Sequence, residues 1–339
     1  MPSDRVTPPK IAHLLLAWYA RAHRDLPWRR TSDPYSVWVS EIMLQQTRAQ
    51  AVVPYYQRFL ARFPTVEALA AAPEEEVLAL WSGLGYYSRA RNLLRAARAI
   101  HASGAFPSHY AALRALPGVG DYTAAALASI AFGLPHAVVD GNVLRVVARI
   151  ANDPSEIAAP GTRARFRAIA QSWLDPRRPG AFNQALMELG ATICLPRNPL
   201  CPSCPLESHC AARAAGTAAL LPVKLRKTEL QRIEAVLLLV RKGRRILLHR
   251  GPQGVARVAG FWNLPAPEDL PSARVGPRLG EFRHSITHHR YILTVHDARL
   301  ASVPRSPDFR WFTSADLAAV PLSTTARKAL KLVPVQPVQ

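Results

Sequence analysis

Apolar residues recur at three- and four-residue spacing over most of the stretch from Ile11 to Ala215, most clearly in Ala51 to Phe63, Glu75 to Trp81 and Ser88 to Ile100. That period marks amphipathic helices with one face turned to a core, so this part of the chain is expected to be all-α. Asp33 followed by Pro34 reads as an N-cap and first helical residue. It predicts a helix over Tyr35 to Thr47 that carries Glu41 and Gln45 one turn apart on one face. Around Leu220 to Lys227 the pattern stops, and the text LLPVKLRKT, basic and broken by a proline, reads as a linker. Beyond it, Glu234 to Val240, Arg241 to Arg244 and Ile246 to Arg250 predict strand, glycine-containing turn and strand. Arg290 to His296 predicts a further strand, and Ser314 to Val320 and Thr324 to Val333 predict short helices before a Pro- and Gln-containing tail expected to be disordered. No internal repeat is visible.

The pattern predicts a multidomain chain: an all-α domain over residues 8–218, a linker over 219–231, and a smaller α+β domain over 232–334. A length of 339 residues agrees, since single cores of ordinary size stop short of it. With 49% hydrophobic and 19% charged residues the composition is that of a globular protein and excludes wholesale disorder. The longest apolar stretch, Ala124 to Val139, is broken by Gly133, Pro135 and His136, and Met1 to Lys10 lacks a signal-peptide core. A cytoplasmic monomer without membrane contact is expected.

Charge changes the picture more. The formal net charge is +20, from 43 Lys and Arg against 23 Asp and Glu, so a polyanion is the natural partner and nucleic acid the default one. Codon bias in a G+C-rich genome would explain arginine over lysine but not the shortage of acids. Residues 221–339 carry 20 basic and 8 acidic side chains, so both parts of the chain are candidates for contact with DNA.

All four cysteines, Cys194, Cys201, Cys204 and Cys210, fall in one stretch with the spacing C-x6-C-x2-C-x5-C. Four thiolates in so short a loop can converge on one centre. Zinc sites usually combine two close-spaced cysteine pairs, whereas here only Cys201 and Cys204 are close, so a 4Fe-4S cluster is preferred over zinc. Pro196, Pro199, Pro202 and Pro205 exclude an ordinary buried helix and impose a turning loop, which also offers Arg197 to phosphate. Upstream, LPGVGDYT (Leu116 to Thr123) sits between two helical segments and fits a helix-hairpin-helix. Gly118 and Gly120 permit a tight turn that leaves backbone N–H groups at the next helix start free to cradle a DNA phosphate. By themselves Asp140 reads as an N-cap and Glu41 as a solvated helix residue.

Taken together, VWVSEIMLQQT (Val37 to Thr47), GLGYYSRARN (Gly83 to Asn92), LPGVGDYTA, VDGNVLRV, FNQALMELGA (Phe182 to Ala191) and the cysteine spacing resemble, in order, MutY-type adenine DNA glycosylases of the helix-hairpin-helix iron-sulfur superfamily. The resemblance covers about residues 11–225, and more weakly 230–335 as that family's Nudix-like C-terminal domain. It implies a base excision repair enzyme that hydrolyses the N-glycosidic bond of adenine opposite 8-oxoguanine or guanine in double-stranded DNA. Related endonuclease III-like glycosylases place a nucleophilic lysine where this chain has Tyr122, so little or no strand-cleaving lyase activity is implied. Glu41 resembles the general acid and Asp140 the stabilising carboxylate, with Tyr122 and Asn142 placed around Asp140 and the sugar. Arg24, Leu26, Trp28, Arg29 and Gln184 match the adenine pocket; Gln46, Thr47, Leu84 and Tyr86 match positions that wedge into the duplex or touch the partner base. Trp28, Leu84 and Tyr86 read equally as core residues.

The C-terminal part departs from the family. The segment Gly260 to Gly280 has no Glu-rich Nudix box, so nucleotide hydrolysis is not expected. Where the family often has Phe-Ser-His, this chain has Ile286, Thr287 and His288, which makes Thr287 and His288 candidates for lesion reading or ordinary strand residues. The competing readings are an endonuclease III-like glycosylase/lyase acting on oxidised pyrimidines, and a non-catalytic iron-sulfur DNA-binding protein.

Overall fold

The computed structural model describes residues 8–225, 231–250, 260–286 and 289–332. They fall into two compact units, one within Met1–Val53 and Ala99–Lys227, the other within Pro54–Arg98 and Thr228–Gln339. In this grouping the helical segment 54–98 goes with the C-terminal residues.

The first unit is built of helices, as its apolar period predicts. Pro8–Ala22, Gly141–Ile150, Pro160–Trp173 and Pro179–Thr192 bury Ile11, Leu15, Val143, Val147, Phe166, Phe182, Leu186 and Leu189 in one core. Gly141–Ile150 is central, with every residue from Val143 to Ile150 buried, including two arginines. Burying a guanidinium is tolerable only where its N–H groups find acceptors. Arg145 donates to the carbonyls of Cys194 and Gly190 at 2.7 Å each, and Arg149 to those of Leu221 at 2.9 Å and Leu195 at 2.7 Å. Both arginines thus tie the cysteine-bearing loop to the core.

The helix expected over Tyr35 to Thr47 runs over Pro34–Leu44. Asp33 caps it as predicted, its Oδ2 accepting from Ser36 N at 2.8 Å. The C-terminal end differs: Gln45 leaves the helical region (ψ 114°) and Gln46 is left-handed (φ +56°), the conformation that ends many helices. Gln45 is therefore a C-cap and does not share a helical face with Glu41; its Nε2 donates to Thr123 Oγ1 at 3.2 Å.

The hairpin is present, with helices Tyr110–Arg114 and Asp121–Ile130 joined through the Gly118 to Gly120 turn. Gly118 is left-handed (φ +78°), which a side chain would strain. Gly120 has ordinary extended backbone (φ −93°, ψ −178°), and a Cβ there would meet nothing within 4 Å. The fold itself does not demand a glycine at that position.

In the second unit, helix Glu74–Trp81 precedes a sheet of six strands: β1 (Gln231–Lys242), β2 (Arg245–Arg250), β3 (Trp262–Asn263), β4 (Arg274–Ile286), β5 (His289–Arg299) and β6 (Phe309–Phe312). The order is β3-β2-β1-β5-β4, with β6 on β2; β1 and β5 are parallel and the other pairs antiparallel. Alternation divides β1 between two cores: Leu239 packs with Ala326 and Ala329 of helix Thr324–Leu332, while Leu238 and Val240 pack with Leu270 and Ala298. The strands expected at Glu234 to Val240, Ile246 to Arg250 and Arg290 to His296 are found, each within a slightly longer element. β4 escaped prediction because its Gly and Pro residues and its register shifts after Val275 and Arg278 erase the two-residue alternation. Thr287, His288 and Val333 lie outside the described residues. Among the described residues no helix is long and apolar enough to cross a membrane.

Candidate active site

A cleft of about 630 Å³ opens in the first unit. Arg24, Leu26, Trp28, Arg29, Glu41, Thr47, Tyr122, Asp140, Asn142 and Gln184 all line it, drawn from six separate stretches of sequence. Helix Pro34–Leu44 brings Glu41, the helix after the hairpin brings Tyr122, the start of Gly141–Ile150 brings Asp140 and Asn142, and Pro179–Thr192 brings Gln184.

Glu41 is only 4% exposed, so the reading of it as a solvated helix residue does not hold. Burial, with a smaller push from the Asp140 charge, raises its carboxyl to about 7, against the pull of the Tyr122 hydroxyl and of Arg29. Its buried Oε2 has no hydrogen-bond partner among the described residues. Leaving such an atom unpaired is costly, so its persistence at the cleft marks a place where a proton or a ligand atom belongs.

Asp140 is held differently. It is the N-cap of Gly141–Ile150, its Oδ1 accepting from Val143 N at 2.7 Å and its Oδ2 from Asn142 Nδ2 at 2.9 Å. Burial raises its pKa, while the Val143 and Asn142 N–H groups and Arg145 oppose that rise. Asp140 is thus an N-cap, as read from the sequence, and at the same time lines the cleft. Asn142 is fixed in turn, because its Oδ1 accepts from Arg145 at 2.8 Å. Tyr122 directs its hydroxyl to Met187 Sδ at 3.4 Å, and burial raises its pKa well above 10 so that it stays a neutral phenol.

Glu188 is a residue that sequence reading passed over. It is fully buried, and it accepts from Arg24 Nε at 2.8 Å, from a second Arg24 nitrogen at 2.7 Å and from Arg29 at 2.7 Å. Burial pushes its pKa up, but these arginines outweigh burial and hold it down at about 2. Tyr19, whose hydroxyl donates to Gln184 Oε1 at 2.7 Å, completes this wall. The signal for Glu188 was available: it stands one helical turn after Gln184 in FNQALMELGA.

Other candidates lie elsewhere. Gln46 is exposed just past the helix end, and Gly118 and Gly120 form the exposed hairpin turn; none of the three lines the cleft. Leu84 and Tyr86 belong to the second unit, where Leu84 is buried and Tyr86 is 38% exposed. The four cysteines, none in a disulfide, line one apolar cavity. Arg149 donates to Cys194 Sγ at 3.2 Å, and burial pushes the Cys204 thiol up to about 12. Among the described residues no group of three or more His, Cys, Asp or Glu is gathered closely enough to hold a single metal ion.

Residues 39–171 match the family described as HhH-GPD superfamily base excision DNA repair protein. The chain carries an HhH-GPD domain. Over 210 residues, 59% of this chain and 38% of the relative, it is 49% identical to the adenine DNA glycosylase of Homo sapiens. It is 45% identical to that of Arabidopsis thaliana over 230 residues, covering 60% of this chain and 36% of the relative. It is 36% identical to that of Buchnera aphidicola subsp. Acyrthosiphon pisum (strain APS), covering 66% and 65%. The chain thus spans 38% of the length of the human relative it matches. Among solved structures it is similar to a thermostable thymine-DNA glycosylase, with a TM-score of 0.55 and 29% identity over 61% of this chain and 97% of that one. An endonuclease III-DNA covalent intermediate, at 24% identity and a TM-score of 0.52 over 62% of this chain and 99% of that one, shares the fold of the HhH-GPD domain.

Proposed function

We propose that this chain is an adenine DNA glycosylase that hydrolyses the N-glycosidic bond of an adenine turned out of duplex DNA. The observation that carries the reading is Glu41, a buried carboxyl held near neutrality with an unpartnered Oε2, set in the same cleft as an Asp140 that accepts two N–H hydrogen bonds. Adenine leaves poorly until a proton reaches its ring, and Glu41 is protonated at the pH where that proton is needed. Departure of the base leaves oxocarbenium-like positive charge on the sugar, which the Asp140 carboxylate stabilises and Asn142 holds in place. Water then completes the hydrolysis. Burial raises both carboxyls, Glu41 to about 7, and only at Asp140 do N–H groups of Val143 and Asn142 oppose the rise, so the two sites differ in their surroundings.

None of the residues lining the cleft is a lysine, and Tyr122 offers a neutral hydroxyl in place of an amine. No Schiff base can form there, so the enzyme is read as monofunctional. The polyanion partner is DNA, held through the hairpin turn and the +20 charge, with adenine opposite 8-oxoguanine or guanine as the substrate. Thr287 and His288 are the proposed lesion-reading residues of the Nudix-like C-terminal region. After Thr287→Ala, a lower ratio of 8-oxoguanine to guanine preference supports that role, and an unchanged ratio removes it.

Cys194, Cys201, Cys204 and Cys210 would hold the 4Fe-4S cluster. In a cube each thiolate binds its own iron, and the lining of one apolar cavity by all four cysteines supports that reading. When bound, the cluster braces the loop that Arg145 and Arg149 already tie to the core. Alkali-dependent cutting at adenine that Glu41→Gln abolishes supports the reading; strand cutting without alkali on oxidised pyrimidines contradicts it.

A further inference from the structure

Within the second unit, the segment Gly83 to Tyr86 has an unusual backbone: Gly83 (φ +111°), Gly85 (φ +70°) and Tyr86 (φ +48°) are all left-handed. For tyrosine that conformation is strained and needs support from its surroundings. Tyr86 is also among the few large apolar side chains that stand exposed. Inside the loop the carbonyls are met by buried groups: Arg89 donates to Leu84 O at 3.2 Å and to Gly85 O at 3.1 Å, and Trp81 Nε1 to Gly85 O at 3.3 Å.

The two ends of the loop are fixed from far away in sequence. Ser82, at the end of Glu74–Trp81, donates its hydroxyl to Leu322 O and accepts from Arg327 Nε at 2.9 Å. Tyr87 accepts at its hydroxyl from Thr324 N at 2.9 Å and shares a hydrogen bond with Thr324 Oγ1 at 3.0 Å. Its ring stacks on Phe261, with centroids 3.6 Å apart and planes 21° from parallel. Ser82 and Tyr87 are 3% and 5% exposed, so both stems are anchored in a dry contact where hydrogen bonds hold geometry firmly. Thr324 is the first residue of the C-terminal helix Thr324–Leu332, so Tyr87 also caps that helix's first N–H.

We propose that Ser82 and Tyr87 are positioning residues, through which the Leu322 to Arg327 segment of the C-terminal region sets the strained loop that presents Tyr86. Resting on the reading above, the use of this clasp is to hold an aromatic ring ready to fill the space that a departing base leaves in the duplex, at no further ordering cost on binding. The C-terminal region then contributes to recognition through the geometry of a helical loop, in addition to any contact of its own with DNA. Tyr86 meets DNA in this account; Ser82 and Tyr87 act only through it.

The test uses the full chain. Tyr87→Phe keeps the stacked ring and deletes the hydroxyl, and Ser82→Ala removes the other anchor independently. Each variant is expected to raise KM for an adenine:8-oxoguanine duplex by roughly tenfold while changing kcat by less than about threefold. The rise is expected to shrink below about twofold when Tyr86→Ala is already present, because residues acting through one side chain are not additive. An equal rise in both backgrounds, or a fall in kcat with KM unchanged, overturns the proposal. Chymotryptic cleavage after Tyr86 reads the clasp without any enzymatic activity. The variants are expected to be cut several-fold faster than the wild type at a temperature well below a shared Tm, and unchanged cutting overturns the clasp. If the wild type releases no adenine at all, the functional reading fails while the proteolysis still decides whether the clasp exists.

Discussion

Glu41, the proposed proton donor, also carries a cost. A carboxyl whose folded-state pKa is raised destabilises the folded protein once the pH passes its unfolded value of 4.5, and the penalty grows until about 7 and is constant above. The shift corresponds to about 3 kcal/mol. Glu41→Gln is therefore expected to raise stability, relative to wild type, by about that amount more at pH 8 than at pH 4, measured by denaturant unfolding; equal differences at the two pH values contradict the raised pKa. The same proton gives the activity its sign: single-turnover adenine release is expected to fall as pH rises through about 7. Asp140 separates cap from catalyst. Asparagine also accepts at an N-cap, so Asp140→Asn is expected to keep Tm close to wild type while lowering adenine release by about a hundredfold or more. A large fall in Tm with a proportionate loss of rate would make Asp140 merely structural. Glu188→Gln leaves Arg24 and Arg29 without their anion and is expected to cost about 3 kcal/mol in unfolding experiments, less if the 36% exposed Arg24 side chain turns to solvent.

At the scale of elements, the hairpin turn offers a clean division between what the fold needs and what a ligand needs. Gly118→Ala forces a side chain into a left-handed backbone and is expected to cost about 1–2 kcal/mol in thermal unfolding. Gly120→Ala meets open space on ordinary backbone, so its Tm is expected to stay unchanged while duplex affinity falls; unchanged affinity would remove Gly120 from the phosphate cradle. The elements also show what the sequence disclosed. Helices of the first unit were legible because burying one face imposes a period, and Asp33 was legible as a cap because Pro34 follows it. The end of that helix was not: Gln46 adopts a left-handed conformation that glycine usually marks, and nothing local in Gln45-Gln46-Thr47 announces it. Strand β6 was hidden because Phe309–Phe312 is short and takes its register from β2. The burial of Glu41 was equally invisible, since a carboxylate inside a helix reads as solvated until packing shows otherwise. Ser82 and Tyr87 were unreadable for a different reason: their partners stand 240 and 237 residues away.

For the whole molecule, charge and cleft make one device. On the proposed reading, the formal net charge of +20 draws duplex DNA in by releasing counterions, and each phosphate contact adds about −0.9 to the slope of log affinity against log salt. Folding also brings cleft residues from six sequence stretches together, so that binding energy gathered over a wide surface can offset the few kcal/mol of unstacking one base. The most direct test of the account is cleavage of a duplex with adenine opposite 8-oxoguanine, with and without alkali, comparing the wild type with Glu41→Gln. The account predicts strand cutting at the adenine only after alkali, abolished by the substitution in a protein that stays folded. Cutting that survives Glu41→Gln, or that proceeds without alkali, contradicts it.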